Sequence, residues 1–262
     1  MRWPTALPRE GVERLRRFLD SLTRAEALRP LRMWYARKVV LPAVQERYAQ
    51  LSSGEAFSAI YAQRVWGVGN DETFFSGPGS RDPFISRYCN AVSSFIGERG
   101  VHSVVDLGCG DFAVGRRIAG PGIRYVGIDV VESLIEHNAA VYGTDSISFR
   151  TCDITADGDL PDGDLCLIRQ VLQHLSNQEI LNVLDKVSKY PFLIITEHIP
   201  SNPECTPNVD MVHGPQDRVY LGSGVFVDEP PFSKRATTLL EVPIDKHSLL
   251  RTSLVEQAQS RP

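Results

Sequence analysis

The glycine-rich stretch Gly108-Cys109-Gly110-Asp111-Phe112-Ala113 has the residue types and spacing of a loop that binds a nucleoside cofactor. It fits the dinucleotide fingerprint G-x-G-x-x-A, and Asp129 lies at about the right distance beyond it. Asp106 argues against a dinucleotide, because a carboxylate just before the glycines repels a pyrophosphate and suits an ammonium or sulfonium cation. Asp111 is likewise a poor neighbour for phosphate, and a further acid, Asp153, follows downstream. Together the acids predict a pocket for a cationic, phosphate-free nucleoside, with an NAD-type domain as the alternative.

Short apolar runs alternate with helical patterns from about residue 100 onward and determine where these acids lie. A capping box at Ser176 and Glu179 begins one helix, residues 131–138 form another, and a helical stretch after the glycine loop ends at Gly120-Pro121. Continuous apolar strands between helices indicate a parallel sheet covered on both faces, and ligands bind such sheets at the carboxyl ends of the strands. The predicted strands are residues 103–105, 125–128, 147–150, 165–168, 192–196, 238–242 and 249–255, the last two closing the sheet with a reversed edge.

The composition is that of a globular protein. The chain has 262 residues, 42% of them hydrophobic, and a formal net charge of -4, which suits one large α/β domain with an extension. No apolar run approaches the roughly 18 residues that would span a bilayer, and no apolar segment follows Met1-Arg2-Trp3-Pro4 as in a secretion signal. The five cysteines include no C-x-x-C pair. These features predict a reduced, cytoplasmic protein without a transmembrane segment.

The N-terminal segment differs from the rest in charge. Residues 1–48 carry 11 basic and five acidic side chains, whereas the remaining chain has a net charge of -10. Val12, Leu15, Leu19 and Leu22 recur at helical spacing and predict a basic amphipathic helix. Its arginine face is solvated or binds an anionic membrane, a polyanion or a second subunit, so the N-terminal helices are a candidate homodimer interface. We predict a helical extension and cap over residues 1–95 and the main domain over residues 96–262.

The main domain resembles the class I S-adenosylmethionine-dependent methyltransferases over residues 100–200. The carrying motifs are Val104-Val105-Asp106-Leu107-Gly108-Cys109-Gly110-Asp111, Ile128-Asp129, Cys152-Asp153-Ile154 and Asp164-Leu165-Cys166-Leu167-Ile168-Arg169-Gln170. The resemblance implies an α/β fold with a Rossmann-like, seven-stranded sheet and helices on both faces. It also implies S-adenosyl-L-methionine as the cofactor.

By the same resemblance, four positions hold the methionine end of the cofactor or face it. Asp106 and the backbone of Gly108 and Gly110 bind the methionine moiety. Gln170 lies where the tip of the fourth strand faces the cofactor.

Three further positions hold the nucleoside by the same resemblance. Asp129 binds the ribose hydroxyls, a role that suits the two oxygens of a carboxylate. Asp153 and the amide of Ile154 bind the adenine.

A segment before the core also looks like part of small-molecule methyltransferases of glycan and natural-product pathways. It consists of Tyr61, Trp66-Gly67 and Ser76-Gly77-Pro78-Gly79-Ser80. The amides and hydroxyls of Ser76, Gly77, Gly79 and Ser80 can donate to the cofactor carboxylate. The alternative is a plain surface turn.

Methyl transfer from a sulfonium is an in-line displacement, so positioning supplies much of the rate. An alcohol acceptor must also lose its proton, to a base or through a metal that lowers its pKa. His174 is the candidate general base, assisted by Glu197 and His198, since all three follow adjacent strands. The alternatives are a histidine that packs at a helix start and a solvated strand terminus.

Residues 199–235 are polar and rich in turns, and predict a lid over the acceptor. Within this lid, Asp210 and His213 can complete a divalent metal site with Glu197, which makes Mg²⁺ a candidate cofactor.

The acceptor class is predicted from one signature that is absent and from short motifs that look like those of known methyltransferases. The fourth strand ends in Arg169-Gln170-Val171-Leu172 rather than in the signature of base N-methylation, and the acidic core does not favour RNA. Gln173-His174-Leu175-Ser176-Asn177, Thr196-Glu197-His198 and Gly222-Ser223-Gly224-Val225-Phe226 look like bacterial sugar O-methyltransferases, including those that methylate mannosides in polysaccharide biosynthesis. We therefore predict O-methylation of a small sugar or glycoside. The alternatives are a methyltransferase for a non-sugar metabolite, lipid or protein residue, or a non-catalytic cofactor-binding module.

Overall fold

The structure is a computed structural model that describes residues 29–69, 73–156 and 158–256. The amphipathic helix predicted from Val12 to Leu22 lies outside these residues. The chain divides into two compact units between Val44 and Gln45. In the first unit, helix α1 (Arg29–Tyr35) is followed by one π-helical turn (Ala36–Val40), and α2 (Leu41–Tyr48) runs across the division. Within the described ranges, no helix is both long and apolar enough to span a membrane.

The second unit is built on a seven-stranded sheet, which confirms the predicted Rossmann-like architecture. The strand order is β3-β2-β1-β4-β5-β7-β6, with β7 antiparallel to both of its neighbours and the other pairs parallel. The reversed strand therefore lies inside the sheet, and β6 forms the edge. The strands are β1 (Ser103–Leu107), β2 (Arg124–Asp129), β3 (Ile147–Thr151), β4 (Leu165–Arg169), β5 (Phe192–Pro200), β6 (Ala236–Pro243) and β7 (Ser248–Glu256).

Helices pack on both faces of this sheet and explain why its central strands are apolar throughout. On one face, α6 packs through Ile180 and Leu184, after a capping box in which Ser176 and Glu179 bond each other's backbone amides. On the opposite face, α4 packs through Val92. The helices of the second unit are α3 (Ser53–Ala62), α4 (Ser86–Arg99), α5 (Glu132–Tyr142) and α6 (Asn177–Lys186).

The helix predicted after the glycine loop is wrong, because only a single 3₁₀ turn (Gly115–Arg117) forms there. Phe112 has a left-handed φ of 60°, which no helix interior accepts. A Cβ atom on Gly115 would lie 2.2 Å from the Tyr125 hydroxyl. The segment is thus held against β2 in a conformation that interrupts the helix.

Residues 199–235, the segment predicted as a lid, pack against the domain and are called the cap below. Val225, Val227 and Phe232 are buried in the core beside α6. Arg218 is fully buried, and its guanidinium donates to the carbonyls of Val209, Leu172 and Leu175 and to the Asn177 side chain. Several polar residues of this segment, whose polarity suggested a lid, form internal hydrogen bonds; Asn208, for example, donates to the Phe226 and Pro230 carbonyls.

We expect Arg218→Lys to destabilise the protein by on the order of 3 kcal/mol, because an ammonium group cannot reach four acceptors that the guanidinium fork satisfies. Urea unfolding at equilibrium measures the change. Arg99→Lys is the matched control, since the Arg99–Glu256 ion pair is about half exposed and its loss should cost less than about 1 kcal/mol. Equal midpoints for the two variants would contradict the anchoring role of Arg218.

Candidate active site

The carboxyl ends of β1, β2 and β4 meet around the glycine loop. Gly108 and Gly110 have left-handed φ angles of 73° and 55°. A Cβ atom on Gly108 would lie 2.3 Å from Val171, and one on Gly110 would lie 2.4 Å from the Ser76 hydroxyl. The loop therefore forms a backbone cradle that only glycine can build.

Asp129 closes one side of this cradle. Its carboxylate accepts hydrogen bonds from the amides of Gly110 and Val131, each at 3.1 Å. Burial raises the pKa of Asp129 to about 6. Asn138 on α5 holds the cradle in place by donating a hydrogen bond to the Gly110 carbonyl at 2.7 Å. Sequence reasoning missed Asn138, whose only signal was an amide on the apolar face of a helix.

Asp106 lies at the tip of β1 and is buried. Its carboxylate accepts a short hydrogen bond from the Tyr125 hydroxyl, and burial raises its pKa to about 6. Neither Asp106 nor Asp129 forms an ion pair with a described residue. The two buried carboxylates thus flank the cradle without a direct ion pair among the described residues, and Arg169 acts on Asp106 only from a distance.

Ser76 connects the loop of residues 76–80 to the glycine cradle through hydrogen bonds. Its amide donates to Asp111, the Asp111 amide donates back to its hydroxyl, and Tyr61 lies 2.8 Å from the same hydroxyl. Arg81 forms an ion pair with Asp111 at 2.9 Å. Arg81 therefore offsets the charge of Asp111.

The remaining loop residues are held mostly by one another. The Ser80 hydroxyl donates to the Gly77 carbonyl at 2.7 Å, so its proton is used within the loop. Gly79 packs so tightly against Gln170 that a Cβ atom would lie 2.5 Å from the Gln170 side-chain oxygen. Gln170 has a left-handed φ of 54°. The structure thus brings the Ser76–Ser80 loop against the tip of β4.

Asp153 follows β3 and faces the start of α3. Its carboxylate accepts hydrogen bonds from the Ser53 hydroxyl at 2.5 Å and from the amide and hydroxyl of Thr155. Burial opposes its ionisation, but these hydrogen bonds outweigh burial and lower its pKa. Ile154 is buried in the core, where its side chain packs near the sheet. Ser53 is a further contact that sequence reasoning missed.

Glu197 at the end of β5 is buried and binds backbone rather than facing solvent. Its carboxylate accepts hydrogen bonds from the amides of Leu172 and Gln173, each at 3.0 Å. Burial raises the pKa of Glu197 to about 8. The alternative of a solvated strand terminus is therefore wrong, and the carboxylate positions the turn after β4.

His174 lies in that turn with both ring nitrogens occupied. The amide of His198 donates to the side-chain oxygen of Gln173, which turns the Gln173 NH₂ group towards Nε2 of His174 at 3.2 Å. Nε2 is then the acceptor, and Nδ1–H donates to the Gln216 carbonyl at 3.1 Å. Burial lowers the pKa of His174. This arrangement describes a packed, neutral histidine.

His198 has one nitrogen occupied and one unused. Its Nδ1 lies 2.7 Å from the carboxylate of Asp217, and both side chains are mostly buried. Nδ1 therefore carries the proton, and Nε2 has its lone pair available. Nε2 is buried and has no hydrogen-bond partner among the described residues. A carboxylate that orients an imidazole with a free Nε2 is the arrangement of a general base.

The predicted metal site is wrong. Asp210 accepts from the Asn177 amide at 2.7 Å. His213 bonds Glu179 at 2.7 Å and the Leu51 carbonyl at 3.0 Å, so both its nitrogens face acceptors. In the part of the chain that the structure describes, no three His, Cys, Asp or Glu side chains are grouped as a metal site requires.

Comparison with known families assigns the reaction class. Residues 105–189, which contain the cradle and the turn after β4, match the family model described as a methyltransferase domain. The enzyme is an S-adenosylmethionine-dependent methyltransferase. A search of curated proteins found no match.

Several solved structures share the fold of this methyltransferase. The N-terminal domain of EvdMO1, solved with SAH and D-fucose, is 13% identical with a TM-score of 0.51, over 79% of this chain and 98% of that domain. Human N-acetylserotonin methyltransferase in complex with SAM is 14% identical with a TM-score of 0.50, over 86% and 69%. The N-methyltransferase NodS from Bradyrhizobium japonicum WM9, with SAH, is 18% identical with a TM-score of 0.50, over 74% and 95%.

The residues of the methyltransferase fit this cofactor. A backbone cradle without side chains at Gly108 and Gly110 admits close approach of a ligand. The buried carboxylates of Asp106 and Asp129 have no cationic partner among the described residues, and they suit the ammonium and ribose hydroxyl groups of an S-adenosyl compound.

We expect the affinity for S-adenosylhomocysteine to fall as the pH drops from 7 to 5. The ribose hydroxyls donate to ionised Asp129, so its contribution is largest above its pKa of about 6 and falls by up to about tenfold per pH unit below it. Asp106, whose pKa is also about 6, adds to the wild-type slope. Calorimetric titration at several pH values measures this slope. Asp129→Asn should weaken binding at pH 7 and reduce the slope, leaving the part due to Asp106. A variant with the wild-type slope would contradict the ribose role of Asp129.

Proposed function

We propose that this methyltransferase transfers a methyl group from S-adenosylmethionine to a hydroxyl of a small sugar or glycoside, with His198 as the general base. The observation that carries this proposal is the buried, unpartnered Nε2 of His198, whose other nitrogen is held by Asp217. A buried acceptor atom left without a partner costs free energy. An acceptor hydroxyl bound there would supply the missing hydrogen bond.

The two ring nitrogens of His198 have different roles in this mechanism. The bound cofactor supplies an electrophilic methyl group. Nε2 of His198 takes the hydroxyl proton as the oxygen attacks, and the hydrogen bond from Nδ1 to Asp217 stabilises the imidazolium that results. This proton acceptor suits a hydroxyl, which must lose its proton as the oxygen attacks. The base role assigned to His174 in the sequence moves to His198.

His174 and Glu197 then act as positioning residues. Glu197 holds the amides of the turn, and that turn carries Gln173, whose side chain bonds both histidines. Loss of either residue would displace His198 without removing the base. Gln173 was not singled out by sequence reasoning, because its role depends on two partners that only the fold brings together.

A cavity of about 230 Å³ is large enough for a small ligand, and His198 is not among its lining residues. Its lining includes Tyr61, Trp66, Phe74 and Phe75 with the polar groups of Arg64 and Ser133. The Trp66 ring also contacts His174, at 5.4 Å between ring centroids. Aromatic faces with a few polar groups are typical of small-ligand pockets. The sugar rests on the sequence resemblance, and the structure of EvdMO1 with D-fucose supports it.

We expect His198→Asn to lower kcat by about 10²–10⁴, the usual contribution of a general base, with S-adenosylhomocysteine affinity unchanged. The asparagine amide can still bond Asp217, so the cap keeps its anchor. His174→Asn is the matched control and should lower kcat much less. Turnover with mannosides and fucosides, measured by cofactor product release, provides the readout. Equal kcat in wild type and His198→Asn would refute the base role.

The acceptor class is tested in the same assay. A panel of sugars, amines, phenols and lipids is offered to the wild-type enzyme. We expect turnover with sugar hydroxyls only. Turnover confined to amines would contradict O-methylation, and turnover confined to phenols or lipids would contradict the sugar acceptor while leaving His198 as the base.

A further inference from the structure

Arg169 is a buried cation that the proposed chemistry does not use. It is the last residue of β4, and its Nε atom is buried without a hydrogen-bond partner among the described residues. Nη2 donates to the Gly79 carbonyl at 2.8 Å, and the guanidinium lies 5.1 Å from the centroid of the Tyr88 ring. It forms no ion pair with any residue that the structure describes. Buried charges in proteins are normally paired, so this arginine lacks an anion.

The nearby acids form no direct ion pair with Arg169. Asp106 and Glu197 act on Arg169 electrostatically from a distance. The Asp106 carboxylate bonds the Tyr125 hydroxyl, and Glu197 bonds backbone amides. The guanidinium therefore retains donors for an anionic group that comes from outside the chain.

The register of the sheet places Arg169 beside the cofactor cradle. Asp106 on β1 pairs with Leu167 on β4, so Arg169, two residues further along, points to the same face of the sheet as Asp106. Its partner Gly79 belongs to the loop whose Ser76 touches the cradle at Gly110. One negative and one positive side chain thus lie on the same face near the same glycine loop.

We propose that Arg169 binds the carboxylate of the cofactor's methionine moiety, so that Arg169 and Asp106 together recognise an α-amino acid zwitterion. This inference rests on the proposed cofactor use. Guanidinium–carboxylate contacts are charge-assisted and directional. The Ser76–Ser80 loop then acts by orienting Arg169 through Gly79, and the predicted carboxylate contacts of its own hydroxyls become secondary.

The test compares three ligands that share adenosine and a thioether. S-adenosylhomocysteine has both charges, its decarboxylated analogue keeps only the ammonium, and 5′-methylthioadenosine has neither. We expect wild type to prefer S-adenosylhomocysteine over the decarboxylated analogue by about 30-fold or more. In Arg169→Met that ratio should fall towards one, while the affinity for 5′-methylthioadenosine stays within about threefold.

Arg81→Met is the matched control, because Arg81 contacts the same loop through Ser80 and Asp111 but is already paired. It should weaken all three ligands alike and keep the ratio. Arg169→Lys covers the case in which Arg169→Met does not fold. An ammonium cannot bond Gly79 and a carboxylate in the guanidinium geometry, so the ratio should still fall about fivefold or more.

The outcomes separate the two proposals. An unchanged ratio in the folded Arg169 variants would overturn the carboxylate role. An equal loss for all three ligands would also overturn it, because that pattern reports a collapsed loop. Failure of wild type to bind any of the three would refute the proposed cofactor use itself.

Discussion

The carboxylate of Glu197, buried at the end of β5, accepts hydrogen bonds from consecutive amides of the turn that follows β4. Those amides would otherwise be buried donors without partners, which is costly. The bond fixes the turn against β5, and the turn carries both Gln170 and His174. Through Gln173 it also reaches the backbone of His198. The geometry of the acceptor side of the site depends on this one buried acid.

The cap over residues 199–235 depends on a second buried charge. Arg218 fastens the cap to the same turn through the carbonyls of Leu172 and Leu175. Asp217 precedes Arg218 directly, so the anchored Arg218 helps to hold Asp217 against His198. Orientation of His198, the proposed base, is in this way coupled to packing of the cap. An arginine suits this position because one planar group satisfies several carbonyls at once.

Around the glycine loop, three buried charged side chains form no direct ion pair with a described residue. Asp106 and Asp129 are buried without cationic partners among the described residues, and burial holds the pKa of each at about 6. Arg169 is buried nearby without an anion. Such uncompensated groups reduce the stability of the empty protein and favour binding of a ligand that carries the complementary charges. The cradle, the two acids and Arg169 are consistent with one zwitterionic ligand.

The sequence by itself determined the sheet, the cradle and the reaction class. Gly108 and Gly110 are required by local backbone geometry, and apolar strands with a polar residue at each end are recognisable without knowing their neighbours. The same reasoning failed where the outcome depends on distant partners. His174 and His198 were both catalytic candidates in the sequence, and their proposed roles differ because Gln173 occupies Nε2 of His174 while Asp217 orients the ring of His198. The candidate ligands Glu197, Asp210 and His213 likewise bond separate partners. Tertiary structure decided these roles because a side chain's available lone pairs depend on which hydrogen bonds the fold has already used.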